Sequence, residues 1–257
     1  MSRPLRNPFR ANAPVSPYGV LLFLAWLLTG AGLWAWSGGL LAFVFVLLGW
    51  LVALVVHEFG HAVVAHRGGD HTVGRKGYLT LNPVKYADPF ISLGLPLIVL
   101  ALGGLGLPGA AVYLRQDLMR GRKWRSLAAL GGPLGTLIVL ILLAVALALL
   151  GLTGPQGEAL RKATAFLAFL QATALILNLL PVPGLDGYGA LRPWLPRKWV
   201  LSLIRVEHVA IFLLIGVLFL VPGAGSLLIG SAVGLAGLFG IDPDLVATGW
   251  NAFRFWI

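Results

Sequence analysis

Seven apolar runs dominate this chain, at about 18–36, 40–65, 90–113, 127–152, 163–185, 206–222 and 226–240. A helix needs about 20 residues to cross the hydrocarbon layer of a bilayer. Most of these runs reach that length, and 226–240 falls short of it. Charged residues are 11% of the 257, well below the ~25% of a soluble domain. A water-soluble globule is therefore excluded. The expected fold is an all-α integral membrane protein, one polytopic domain over residues 1–257 with about six transmembrane helices. With no cysteine in the chain, disulfides, thiolate metal sites and a cysteine nucleophile are ruled out. The net charge of +10 sits in short clusters between apolar runs, which is how a membrane protein is oriented. The lipid bilayer is thus the expected partner, and nucleic acid is not.

Arg3, Arg6 and Arg10 precede a first run too long for a signal-peptide core, and no clear A-x-A site follows, so a retained anchor is expected. Of 19 basic residues, 16 fall at the N-terminus, at 67–85, at 115–125 and at 192–205. All would face the cytoplasm under the positive-inside rule if one segment does not cross. The segment near 90–113 carries Pro96, Gly103-Gly104-x-Gly106 and Pro108, and it reads as re-entrant, the alternative being an ordinary crossing. These readings give a multi-pass protein of the inner cell membrane with its N-terminus in the cytoplasm. Within the polar stretch 66–89, Tyr78-Leu-Thr-Leu-Asn82 alternates like a strand, so a short strand pair is weighed there against a plain loop.

The run 40–65 contains His57-Glu58-Phe59-Gly60-His61, an H-E-x-x-H match. Residues i and i+4 share a helix face, so both imidazoles can bind one metal while the glutamate beside them activates a water. Ionisable side chains inside an apolar helix are costly unless they are paired, coordinated or water-lined, and metal binding accounts for all three.

A catalytic zinc usually takes three protein ligands. Asp186 ends the run 163–185 in Asn178-Leu-Leu-Pro181-Val-Pro183-Gly-Leu-Asp186-Gly187. The two prolines should unwind the chain just before it and free it to reach the metal, although Asp-Gly is also a common turn. Both runs should end on the same, cytoplasmic side. Glu207 and His208 are rivals, better read as residues at a helix terminus, and His66 and His71 read as solvated loop histidines. Asn178 either hydrogen-bonds a neighbouring helix or binds substrate backbone. A metal transporter would need ligands along a through-path and more intramembrane carboxylates than Glu58 and Asp186.

These motifs, with Gly69-Asp70-x-Thr72, Leu79-Thr80-Leu81-Asn82-Pro83, Asp88-Pro89 and Gly131-Gly132-Pro133-Leu134, make the chain resemble the site-2 protease family of intramembrane zinc metalloproteases, in its compact bacterial form. The resemblance spans roughly 50–190, within a catalytic core of about 40–190. It implies one zinc ion held by His57, His61 and Asp186, with Glu58 as general base and Asn178 as a substrate-binding or oxyanion-binding residue. It also implies membrane-anchored single-span proteins as substrates. Tyr78, Tyr86 and Thr136 depart from the pattern, where arginine, histidine and asparagine are common in the family, and no Trp-Ala-Lys-Pro-like segment is recognisable near 110–115.

Overall fold

A computed structural model of the protein describes residues 15–86, 113–151 and 156–256. Helix α1, Pro17–Ala35, starts where the Ser16 hydroxyl accepts the Tyr18 N–H and Pro17 presets the first turn. Helix α2, Gly39–Gly68, ends where Gly69 turns left-handed at φ 116° and returns its N–H to the Ala65 and His66 carbonyls. Two single-turn helices follow, α3 at Thr72–Arg75 and α4 at Pro83–Tyr86. Then come α5, Arg122–Gly151, and α6, Glu158–Leu179. A short α7, Asp186–Leu191, leads to α8, Arg197–Ile204, α9, Glu207–Leu220, α10, Ala224–Leu238, and α11, Pro243–Phe253.

Four of these helices, α1, α2, α5 and α6, are long and apolar enough to span a membrane, and the bent pair of α8 with Val209–Leu220 would make five. Among the described residues the candidate spans thus number four to five against the expected six, and α10, with 15 residues, is shorter than a spanning helix. Most of the segment 90–113, through residue 112, lies outside the described residues. No strand occurs among the described residues, so the strand pair weighed at 66–89 is not found in its described part, 66–86. Tyr78–Asn82 runs as turns: Thr80 bonds the Gly77 carbonyl, Leu81 takes φ 51°, and the Asn82 side chain caps Val84 N–H. Each of these local side-chain bonds offers the backbone an alternative to a ladder.

Helix α6 is the central post, with 83% of its most apolar window buried, against 11% for α1. Phe166 packs on Trp250 and Phe253 of α11, and the core continues through Phe45, Val46 and Trp50 of α2. The apolar residues that face outward, such as Leu21 and Leu28 of α1 and Leu142 and Leu149 of α5, form the surface that lipid would cover.

Helices α2 and α5 cross on glycine. A Cβ added at Gly60 would lie 2.2 Å from the Gly131 carbonyl oxygen, and one at Gly131 would lie 2.5 Å from the Gly60 oxygen. Gly131 and Gly135 form a G-x-x-x-G pair, the spacing that lets two membrane helices approach backbone to backbone. Gly131→Leu is expected to cost about 3 kcal/mol through overpacking, a fall in Tm of roughly 6–12 °C for a chain of this size. The control is Gly230→Leu on α10, where an added Cβ meets nothing within 4 Å, and thermal unfolding in detergent should find its Tm nearly unmoved.

Candidate functional site

The close α2–α5 crossing puts α5 against the face of α2 that carries His57 and His61. All of His57, Glu58 and His61 are buried, Glu58 to 2% exposure, about 27 Å along α2 from Gly39 at 1.5 Å per residue. His61 Nδ1 lies 2.8 Å from the Ala128 carbonyl oxygen, which can only accept, so the proton sits on Nδ1. The Gly132 N–H also approaches this nitrogen, at 3.3 Å, a contact that would need the opposite tautomer. The shorter carbonyl contact decides between them. His57 Nδ1 lies 2.8 Å from Thr136 Oγ1, which can accept in the same way. With both Nδ1 protons engaged on α5, both Nε2 atoms present lone pairs into the site.

Asp186 reaches the same point from α6. That helix stops at Leu179, Leu180 is extended at φ −63° and ψ 143°, and Pro181 and Pro183 keep the chain irregular until α7 begins at Asp186. The Asp186 Oδ2 lies 3.2 Å from His57 Nε2, and its Oδ1 lies 3.2 Å from His61 Nε2. The two Nε2 atoms are 3.1 Å apart. Zinc bonded at 2.0–2.1 Å in a tetrahedron separates its ligand atoms by about 3.3–3.4 Å, close to these separations, so the two imidazoles and the carboxylate suit that ion. Two imidazole nitrogens and two carboxylate oxygens this close also repel one another unless a cation or proton lies between them. The ligand-capable atoms of His57, Glu58 and His61 lie within 4.8 Å of one another, which keeps the Glu58 carboxylate beside the two imidazoles.

Gly132 marks the same space. A Cβ built there would lie 2.2 Å from His61 Nε2 and 2.5 Å from His57 Nε2, so the glycine keeps clear the volume the three donors face. A cavity of about 310 Å³ opens from this cluster among α2, α5 and α6, and Asn178 and Glu207 also line it. Asn178 is buried. Glu207 stands on the cavity wall, and among the described residues the carboxylate that contacts both imidazoles is that of Asp186. His66 and His71 lie outside the cavity lining and face each other, Nδ1 to Nδ1 at 3.5 Å.

The departures at 78 and 86 meet each other: Tyr78 and Tyr86 stack at 6.0 Å, and the Tyr86 hydroxyl donates to the Tyr78 carbonyl. Burial pushes the Tyr86 phenol above its usual range and keeps it a neutral donor. Asp70, fully buried, accepts from Thr72 and from the Arg115 N–H and so ties residues 113–119 over the cavity. Thr136 and Gln171 are site residues that motif reasoning leaves out. The available signal was a polar side chain inside an otherwise apolar helix.

The chain is 44% identical over 250 residues to "Putative zinc metalloprotease Rip2" of Mycobacterium tuberculosis (strain H37Rv), covering 94% of this chain and 95% of that protein. It is 40% identical over 260 residues to the protein of the same name from Mycolicibacterium smegmatis, covering 97% of each. Against "Putative zinc metalloprotease YwhC" of Bacillus subtilis (strain 168) the identity is 30% over 177 residues, 67% of this chain and 78% of that one. No family model matches the chain, and no solved structure matches it.

Gly132→Ala is expected to abolish metal binding and leave the helix intact, since alanine is the better helix former. Thr136→Val, which removes the partner of His57 Nδ1, is expected to weaken metal affinity about 10–100-fold. Competition of each purified variant against a metal-responsive dye reads both effects.

Proposed function

Because the chain belongs to the site-2 protease family of intramembrane zinc metalloproteases, we propose that it hydrolyses peptide bonds in or beside the transmembrane segment of membrane-anchored proteins, with His57, His61 and Asp186 holding one zinc ion and Glu58 acting as general base. The observation that most supports this reading is the convergence of two imidazole Nε2 atoms and the Asp186 carboxylate at 3.1–3.2 Å. A zinc ion held there supplies a Lewis acid that polarises the scissile carbonyl and lowers the pKa of water toward ~7.

The residues of the chain supply the rest. Glu58 takes the proton from the attacking water and passes it to the departing amide nitrogen, so a poor leaving group departs as an amine. Thr136 and the Ala128 carbonyl hold the imidazoles in the tautomer that leaves Nε2 unprotonated. Asn178, buried on the cavity wall, donates its amide to the substrate carbonyl as negative charge develops on oxygen. The apolar walls of α2 and α6 keep bulk water from competing with these contacts.

The finer assignments belong to the same proposal. The chain acts as one polytopic domain in the inner membrane, its N-terminus and catalytic end toward the cytoplasm, and its substrates are single-span proteins cut for regulated intramembrane proteolysis. The clustering of basic residues at 67–85, 115–125 and 192–205, near the catalytic end of α2 and α6, supports that orientation.

The test uses purified protein and a panel of single-span test proteins in liposomes. Glu58→Gln should keep one zinc per chain and lose at least about a hundredfold in cleavage rate, the range of a general base. Asp186→Ala should lose the zinc, whereas Glu207→Gln should keep it. Metal loss confined to the Glu207 variant would sink the ligand assignment.

A further inference from the structure

The cavity does not stop at the catalytic cluster. It continues along α2 past Ala53 to Trp50, and along α6 past Ala174 to Gln171. Trp50 stands seven residues before His57, and Gln171 stands seven before Asn178, two turns in each case. The two helices run side by side in one direction, because an added Cβ at Gly49 of α2 would touch Leu167 of α6 and the later ends meet at Asp186. The cavity is therefore a slot with matching rungs on its two walls.

Gln171 is the polar group at the far end of this slot. It is 3% exposed on the central helix, and its Nε2 has no hydrogen-bond partner among the described residues. A buried amide donor left unmade costs about 1–3 kcal/mol, more than an apolar residue of the same shape would. The catalytic steps above do not use it. It shares one helix face with Asn178 and lies about 10.5 Å from it along the axis, which is the reach of about three residues of extended chain.

From this geometry, and resting on the protease reading, we propose that Gln171 is a substrate-positioning residue: its amide donates to a backbone carbonyl of the unwound substrate about three residues from the scissile bond. A substrate segment lying in the slot then meets two amides in register, Asn178 at the bond to be cut and Gln171 three residues away. Recognition here is of backbone, so the substrate class is any transmembrane segment that can be drawn into an extended form, whatever its side chains.

The experiment compares the parent protein with Gln171→Met, a swap of similar length that removes the amide. Zinc content should be unchanged, and Tm should stay the same or rise, since no internal bond is lost. The KM for a cleavable single-span test protein should rise about 5–20-fold with kcat changed less than twofold, as expected when a contact common to bound substrate and transition state is lost. Shortening that protein stepwise from each end should remove the difference once fewer than three residues remain on one side of the cleaved bond. A second arm needs no turnover: a fluorescein-labelled single-span test protein should bind Glu58→Gln about tenfold more tightly than it binds the Glu58→Gln, Gln171→Met double variant. A Tm lowered by several degrees would assign Gln171 to an internal structural bond and overturn the proposal, as would unchanged KM and unchanged binding. Loss of binding in the second arm without cleavage by the parent would count against the protease reading while leaving the contact standing.

Discussion

Two imidazole nitrogens and a carboxylate held within 3.2 Å of one another, inside a bundle of apolar helices, form the contact around which the rest of the structure is arranged. Each group is costly to bury, and their lone pairs repel, so the arrangement needs a cation or a shared proton at its centre. Three separate pieces of backbone are shaped to make it. Helix α2 supplies both imidazoles from one face. Helix α5 comes close enough, through Gly60 and Gly131, for a carbonyl and a hydroxyl to fix their protons. Helix α6 gives out two turns after Gln171, and the proline-interrupted turn beyond it carries Asp186 back to the cluster.

The crossing and the chemistry are therefore one feature. A larger residue at 131 would push α5 away and take Thr136 and the Ala128 carbonyl with it. Either imidazole could then turn its protonated nitrogen inward, and a protonated Nε2 has no lone pair to offer. Gly132 adds a steric condition to this electrostatic one, since its missing Cβ is the space that the three donors share. Three neighbouring positions, 131, 132 and 135, thus serve helix packing and site geometry together, which explains why glycine fills all of them.

What the sequence made legible follows the range of the interaction. His57, Glu58 and His61 are readable because their relation is a helical repeat of four residues, and Asp186 because two nearby prolines force the chain open. The class of fold was equally plain from run lengths and charge. Thr136 and Gln171 were hidden, since only the assembled bundle shows that Thr136 meets His57 and that Gln171 lines the cavity. Thr136 reads in sequence as a departure from a family pattern, yet it bonds His57 at 2.8 Å. The alternation at Tyr78–Asn82 makes no strand because turn chemistry from Thr80 and Asn82 outweighs a five-residue pattern with no strand to pair with among the described residues. The count of spans is legible only to within one or two, because a 15-residue apolar helix such as α10 falls short of the length that would settle a crossing.

The depth of the site dictates the form its substrate must take. A transmembrane helix satisfies its own backbone, and freeing a peptide bond in hydrocarbon exposes groups that cost several kcal/mol each when unpaired. Cleavage therefore depends on polar partners waiting at that depth for the carbonyls and amides that unwinding sets loose. In this bundle the buried polar side chains of Gln171 and Asn178 on α6 line one slot together with the imidazole–carboxylate cluster. The outward faces of α1 and α5 carry leucines and other apolar residues that offer an unwound chain nothing to bond. In the proposed reading a substrate opens at low cost within the slot, so the polar residues that make the site expensive to fold also confine hydrolysis to it.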